Sequence, residues 1–318
     1  MINITRRTFA LSLGASAAVA ATPISSAAKS LGQRAALPSV AHRKIGAVQV
    51  TALSDGFIEA PFEIFTGAPA SDIEATLAAR FARRGKGTFR LGFTVWLVDD
   101  GERLVLIDTG NPGTPTTGRL PAVLAAIGVS PGDIDAVLIT HMHIDHIGGL
   151  VANGRPAFPN AEVFIHRDDV AYFTDPARAS VAPAILKSSF EGAARVASLP
   201  RLQPFDGERA LTRVISAVDL RGHTPGHTGY RIADGGESLL IVGDALFDPA
   251  FHPARTDIGI AFEPHPPAAA AMRARLFPQA EAERALLAAT HMPFPGFGRI
   301  VRDAGRPQWA PADWELSG

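Results

Sequence analysis

The chain has 318 residues, of which 47% are hydrophobic and 19% charged, with a formal net charge of −1 and no cysteine. Such a chain is globular and large enough for one two-layer domain or two similar halves. A near-neutral balance without a basic run points away from nucleic acid as partner. The absence of cysteine excludes disulfides, thiolate metal sites and cysteine nucleophiles, so any metal must be held by nitrogen and oxygen.

Residues 1–28 read as a leader rather than as part of the fold. TRRTFAL at 5–11, with Arg6, Arg7 and Phe9, resembles a twin-arginine export signal, and the apolar run after it is too short to span a membrane. Small residues at 26–28 place cleavage near Ala28, and the expected location is periplasmic or secreted. Without residues 1–28 the balance is 28 basic against 31 acidic residues. No later segment runs apolar for 18 residues without a charge or turn signal, so no stable membrane insertion is expected after signal removal. Residues 40–318 are read as a single domain.

Residues 45–53 alternate as a strand that Ser54-Asp55-Gly56 should end, and a capping pattern from Ser71 to Glu74 opens a helix over about 72–83. Strands at 92–98 and 103–108 flank the turn Asp99-Asp100-Gly101. A loop NPGTPTTG follows Asp108-Thr109-Gly110, and Gly128 closes a short helix over 119–127. Residues 134–140 form a buried strand, and Gly148-Gly149 should open the next helix. Another strand follows at 162–166, then helical pieces over 167–174 and 180–198. Strands resume at 213–219, 228–233 and 238–243. After a proline-rich stretch come two helices, 267–276 and 279–288, a strand near 288–290 and a short tail from 296. Strand-rich and helix-rich stretches thus occur twice, which fits two sheets packed face to face with helices outside.

The chemistry concentrates at ITHMHIDHIGGL, residues 139–150, where His141, His143, Asp145 and His146 fall within six positions. A strand would turn His141 and His143 to one face, and a following turn brings Asp145 and His146 in from another side. Neutral imidazole and carboxylate suit the same borderline metals. One ion takes three or four protein ligands, so four close ligands from two directions suggest two ions and further ligands downstream. Three candidates follow strand ends: His223 in GHTPGHTG, Asp244 closing SLLIVGD, and His291 after ALLAAT.

The order HMHIDH, GHTPGH, GD and a late histidine, at gaps of 77, 21 and 47 residues (146 to 223, 223 to 244, 244 to 291), resembles the metallo-β-lactamase superfamily. ALSDGF, LVLIDTG, AFPNAEV and ATHMPFPGFG add a resemblance to its methyl parathion hydrolase-like branch. The resemblance implies an α/β fold, an αβ/βα sandwich of two mixed sheets with outer helices. It implies His141, His143 and His223 around one ion, Asp145, His146 and His291 around a second, and Asp244 bridging both. The ions would be zinc by default, with manganese, iron or cobalt as alternatives. His227 then stands behind the ligands, and Asp108 is either an orienting partner of a ligand histidine or a plain turn aspartate.

Two such ions share a water and make it a hydroxide nucleophile near neutral pH, with Asp145 able to steer it. No Gly-x-Ser-x-Gly elbow offers a serine alternative. Within the superfamily, Asp244 argues against true β-lactamases and His143 against flavodiiron proteins. The 27 residues after His291 argue against glyoxalase II-like thioesterases, and the charge balance against nucleases. Small apolar esters, lactones and organophosphate triesters are left as substrates. Phe247 occupies the place where quorum-quenching lactonases carry a tyrosine. Phe173 and Phe190 either line an aromatic leaving-group pocket, as in the branch, or pack their helices, and the loop after DTG lacks the branch's aromatic residue. His252 and His265 read as surface histidines. Family habit allows a homodimer. The non-enzymatic alternative is a metal-holding binding or sensing protein, and the completeness of the ligand set speaks against it.

Overall fold

A computed structural model describes residues 39–79 and 84–315. The proposed leader and its cleavage point lie outside these residues.

The first sheet runs Val40–Ile45, Val48–Pro61, Thr88–Asp99, Leu104–Ile107, Ala136–Leu138, Glu162–His166, Leu202–Phe205. Its first four strands are antiparallel and the remaining joins parallel. The second runs Arg209–Ala210, Ile215–Asp219, Thr228–Asp234, Glu237–Ile241, Leu286–Ala288, Phe297–Asp303, Arg306–Pro311, antiparallel except where Glu237–Ile241 meets Leu286–Ala288. Both sheets are mixed, as expected.

Strand periodicity explains why they stack. Val50, Ala52, Trp96 and Val98 face one way and meet Ile215, Tyr230, Ile232 and Ile241 of the second sheet in one apolar cluster. Leu53, Val95 and Leu97 face the other way, against Leu120, Val123, Leu124, Phe190 and Val196 of the helices Leu120–Ala126 and Lys187–Val196. On the far side, Leu240, Val242, Leu287 and Ala289 pack on Met272, Leu276, Phe277 and Ala280 of the helix Pro266–Ala282. The order helix, sheet, sheet, helix is the expected αβ/βα sandwich. Among the described residues no helix is long and apolar enough to cross a membrane.

Several boundaries differ from the sequence reading, each for a physical reason. Ser54-Asp55-Gly56 does not end a strand: Val48–Pro61 passes through it with a bulge. The bulge leaves Asp55 buried, its carboxylate accepting N–H bonds from Asn111, Gly118 and Leu120 at 2.9, 3.1 and 2.9 Å. Gly148 and Gly149 follow a one-turn helix, Ile144–Ile147, rather than opening one. They are needed for approach: a Cβ would stand 2.3 Å from Pro112 Cδ at Gly148 and 2.3 Å from the Thr109 carbonyl at Gly149. The first helix is Ala70–Ala79, beginning two residues early, and 80–83 lie outside the described residues. The two helices expected after the proline-rich stretch are one, Pro266–Ala282, with Pro278 inside it. Its buried stripe of Ala269, Met272, Arg273, Leu276 and Ala280 keeps helical spacing through that proline, so packing overrides the breaker. The tail is no tail: Phe297–Asp303 and Arg306–Pro311 form a hairpin on the sheet edge. Its turn residues Ala304 and Gly305 both have positive φ, 47° and 81°, a conformation for which alanine is a poor signal.

Candidate metal centre

The ligand loops leave neighbouring strands at one end of the sandwich. Ala136–Leu138 runs out through Ile139 and Thr140 into His141, so His141 and His143 stand on a loop and not on the strand that the alternation implied. His143, in extended conformation, is the N-cap of the turn Ile144–Ile147 that carries Asp145 and His146. His223 follows Ile215–Asp219, Asp244 follows Glu237–Ile241, and His291 follows Leu286–Ala288. Gly243 before Asp244 has φ +50°, and a Cβ there would stand 2.9 Å from His227 Nε2.

The seven predicted ligands converge in two groups that share Asp244: His141, His143, His223 and Asp244, and Asp145, His146, Asp244 and His291, with the atoms of each group within 4.8 Å of one another. In the first, His143 Nδ1 lies 2.9 Å from His141 Nε2 and 3.1 Å from His223 Nε2. In the second, His146 Nε2 and His291 Nε2 lie 3.6 and 3.5 Å from Asp145 Oδ2. Asp244 stands between. Its Oδ2 is 3.4 Å from His223 and 3.2 Å from His291, and its Oδ1 is 3.3 Å from His146.

Proton bookkeeping shows that these atoms suit cations. His146 Nδ1–H donates to Asp108 Oδ2 at 2.8 Å and His291 Nδ1–H to the Gly92 carbonyl at 2.9 Å. His223 Nδ1 faces the Glu263 carboxylate at 3.4 Å, and His141 Nδ1 faces the Thr140 hydroxyl at 3.1 Å. That hydroxyl already donates to Asp108 at 2.9 Å, so its lone pair accepts from His141. A neutral imidazole carries one N–H. With that proton outward, each of these rings aims a lone pair inward, an arrangement that a bound cation would satisfy. His146 Nε2 and Asp244 Oδ1 are buried with no hydrogen-bond partner in the protein, although they face each other.

The electrostatics agree. Burial, with the neighbouring histidines, holds His141 and His143 well below the usual imidazole range. Burial opposes a proton on His146 too, but the carboxylates of Asp244, Asp145 and Asp108 outweigh it and raise His146 well above that range. Burial likewise works against the Asp244 anion, and His291, His146 and His141 overcome it, leaving Asp244 well below the usual carboxylate range. Protons and cations thus compete for one buried negative charge.

The orienting alternative is the one the geometry shows for Asp108. Its carboxylate binds Thr140 N–H and hydroxyl as well as His146, from a left-handed φ of 63° that non-glycine residues seldom adopt. His227 lies behind the candidate ligands: Nδ1–H donates to the Leu220 carbonyl at 3.1 Å and Nε2 accepts the Asp244 backbone N–H at 3.2 Å. Burial lowers its pKa to about 3, which keeps it neutral in this role.

The aromatic residues are buried by packing. Phe173 and Phe190 are buried against each other at 5.2 Å, and Phe173 meets the His143 ring edge at 5.5 Å. Neither presents a face to solvent. Phe247 is buried with its ring 4.3 Å from that of His291. The aromatic side chain near the ligands that keeps some open surface is Phe262, half-buried and 5.9 Å from the His143 ring. It sits in the proline-rich stretch, where periodicity offers no signal. His252 is not on the surface. It is fully buried, accepting from Phe247 N–H at 2.9 Å and donating to the Ile258 carbonyl at 3.2 Å. His265 is exposed and caps the helix Pro266–Ala282 through Ala268 N–H.

Sequence reasoning missed Asp169 altogether. Fully buried, it accepts from Met142 N–H at 2.9 Å, Gly226 N–H at 2.6 Å and the Thr224 hydroxyl at 2.9 Å, tying the loop of His141 and His143 to that of His223. Burial, only partly offset by these bonds, raises its pKa to about 6. HRDDV, where it lies, looks like any helix start.

Residues 91–291, more than half of the chain, match the metallo-beta-lactamase superfamily. The chain belongs to this superfamily. Among solved members, the dizinc quorum-quenching lactonase AidC is 25% identical with a TM-score of 0.78, over 88% of this chain and 99% of that one. The hydrolase AbOPH is 27% identical with a TM-score of 0.79, over 87% and 98%. A hydroxyacylglutathione hydrolase of Pseudomonas entomophila (strain L48) is 28% identical over 160 residues, 48% of this chain and 47% of its own. The chain spans about half the length of the curated relatives it matches. For this superfamily member, the clusters above are thus the candidate metal centre of a metallohydrolase fold.

Proposed function

We propose that this chain is a binuclear metal-dependent hydrolase of small, uncharged, apolar esters, among them lactones and organophosphate triesters. The observation that carries the reading is the pair of ligand groups sharing one buried carboxylate, Asp244. The near-complete overlap with AidC, a dizinc lactonase, favours lactones within that class and zinc as the metal. Phe247 stands where quorum-quenching lactonases carry a tyrosine, so no phenol is there to hydrogen-bond a lactone oxygen.

His141, His143 and His223 would hold one ion and Asp145, His146 and His291 the other, with Asp244 between. Bound divalent ions supply Lewis acidity and a water acidic enough to attack at neutral pH. Asp145 differs from the other six residues in keeping solvent access, with a side-chain exposure of 19%, so its carboxylate is placed to take the proton released on attack. Asp108 and His227 keep His146 and Asp244 in place without touching substrate. Phe262, half-buried beside His143, offers an apolar surface next to the all-nitrogen group. The twin-arginine reading of Arg6 and Arg7 completes the proposal with export, and Arg6→Lys/Arg7→Lys should leave the protein in the cytoplasmic fraction.

Purified zinc-loaded protein assayed on chromogenic aryl esters, lactones and phosphotriesters tests the reading. Turnover that chelation abolishes and zinc restores is expected. A protein with two bound ions and no turnover across the panel would instead support the binding or sensing alternative.

A further inference from the structure

Resting on the metal-holding reading, we propose that Glu263 is a positioning residue that makes His223 a ligand, and that Arg273 is buried in order to hold Glu263. The two form an ion pair of 2.6 Å with both side chains wholly buried. A buried ion pair gives up the solvation of both charges, and well-packed apolar residues often serve stability as well or better. The pair therefore calls for a reason other than stability, and its inner end supplies one. Glu263 Oε1 faces His223 Nδ1 at 3.4 Å, and Oε2 accepts Ile260 N–H at 3.2 Å. An ionised carboxylate only accepts, so His223 must carry its proton on Nδ1. Its Nε2 lone pair is thereby presented to His143 Nδ1 at 3.1 Å and to Asp244 Oδ2 at 3.4 Å.

The other donors of Arg273 extend the arrangement. Nε and Nη2 bind the carbonyls of Thr256 and Ile258, each at 3.0 Å. His252 binds the same Ile258 carbonyl at 3.2 Å and takes Phe247 N–H on its opposite nitrogen at 2.9 Å. The segment from Asp244 to the helix Pro266–Ala282 is thus folded around one guanidinium, and both ends of it reach a ligand. Asp108 behind His146 is the counterpart in the other half of the centre. Each half has one histidine backed by a buried carboxylate.

The test is zinc affinity of the metal-free protein, measured by competition with a chromogenic chelator, in Glu263→Gln and in the apolar double variant Glu263→Met/Arg273→Met. Melting of the metal-free forms is followed by circular dichroism. Both variants should lose about 10–100-fold in affinity for one of two ions and keep the other. Glu263→Asp, which keeps the charge, should recover part of that loss. The double variant leaves no lone buried charge, although it strands the Thr256 carbonyl and Ile260 N–H, and should melt closer to the wild-type temperature than Glu263→Gln, which separates positioning from folding if Glu263→Gln does not fold. Wild-type affinity for both ions in either folded variant overturns the role of Glu263. Failure of the wild-type chain to bind two ions overturns the metal centre itself, a different result.

Discussion

The two halves of the centre are built differently. His141, His143 and His223 form an all-nitrogen group, wholly buried, on loops from both sheets that Asp169 ties together. Asp145, His146 and His291 include a carboxylate open to solvent, and here Asp108 and the Gly92 carbonyl orient the rings. One half is a sealed anchor and the other opens to the water side, with Asp244 belonging to both. The difference teaches that a shared ligand can join two sites with independent supports, so each half should be breakable by itself.

The largest effect should come from the shared member. Asp244→Ala is expected to hold at most one ion by elemental analysis and to lose at least about 10³-fold in kcat/KM. Retention of two ions and full turnover would show that Asp244 bridges nothing. Next, Asp169→Ala strands the N–H groups of Met142 and Gly226. That costs about 2–4 kcal/mol, read as a lower melting temperature, and weakens the all-nitrogen half first. Asp108→Asn should act on the opposite half, lowering affinity for one ion about 10–100-fold by chelator competition with the fold retained. If Asp169→Ala and Asp108→Asn weakened the same ion, the division into independent halves would be wrong.

The smallest effect is one of pH and lies outside both halves. Burial lowers His227 and His252 to a pKa of about 3, and for His252 the Arg273 charge adds to it. Between pH ~6.5 and ~3 the unfolded chain takes up protons that these folded histidines refuse, so stability falls as pH falls through that window. Melting temperatures from pH 7 to pH 4 should decline less steeply in His252→Gln than in wild type. Parallel slopes would mean that His252 is not held neutral.

Much of the candidate site was legible because ligand chemistry restricts residue type and because strand ends are where candidate ligands stand. His141, His143, Asp145 and His146 stand together in the chain, and His223, Asp244 and His291 each follow an apolar run. The groups that hold them were not legible. Asp169, Glu263 and Arg273 are charged residues in unremarkable contexts, and nothing local tells a buried charge from a solvated one. The same limit explains His252, expected on the surface and found buried, and Asp55, expected in a turn and found anchoring a loop from inside a bulge.

By itself the sequence determined the alternation that stacks two sheets and the donor set without sulfur. Those depend on residue type and spacing, which are local properties of the chain. Tertiary structure alone decided which nitrogen of His146, His223 and His291 points inward, because the outer nitrogen is fixed by partners up to 199 residues away, as in His291 on the Gly92 carbonyl. It also decided which acids are buried and that, of the two candidate ligand acids, Asp145 keeps solvent access while Asp244 does not. Burial and tautomer are set by the whole surrounding shell, and that shell exists only once the chain has folded.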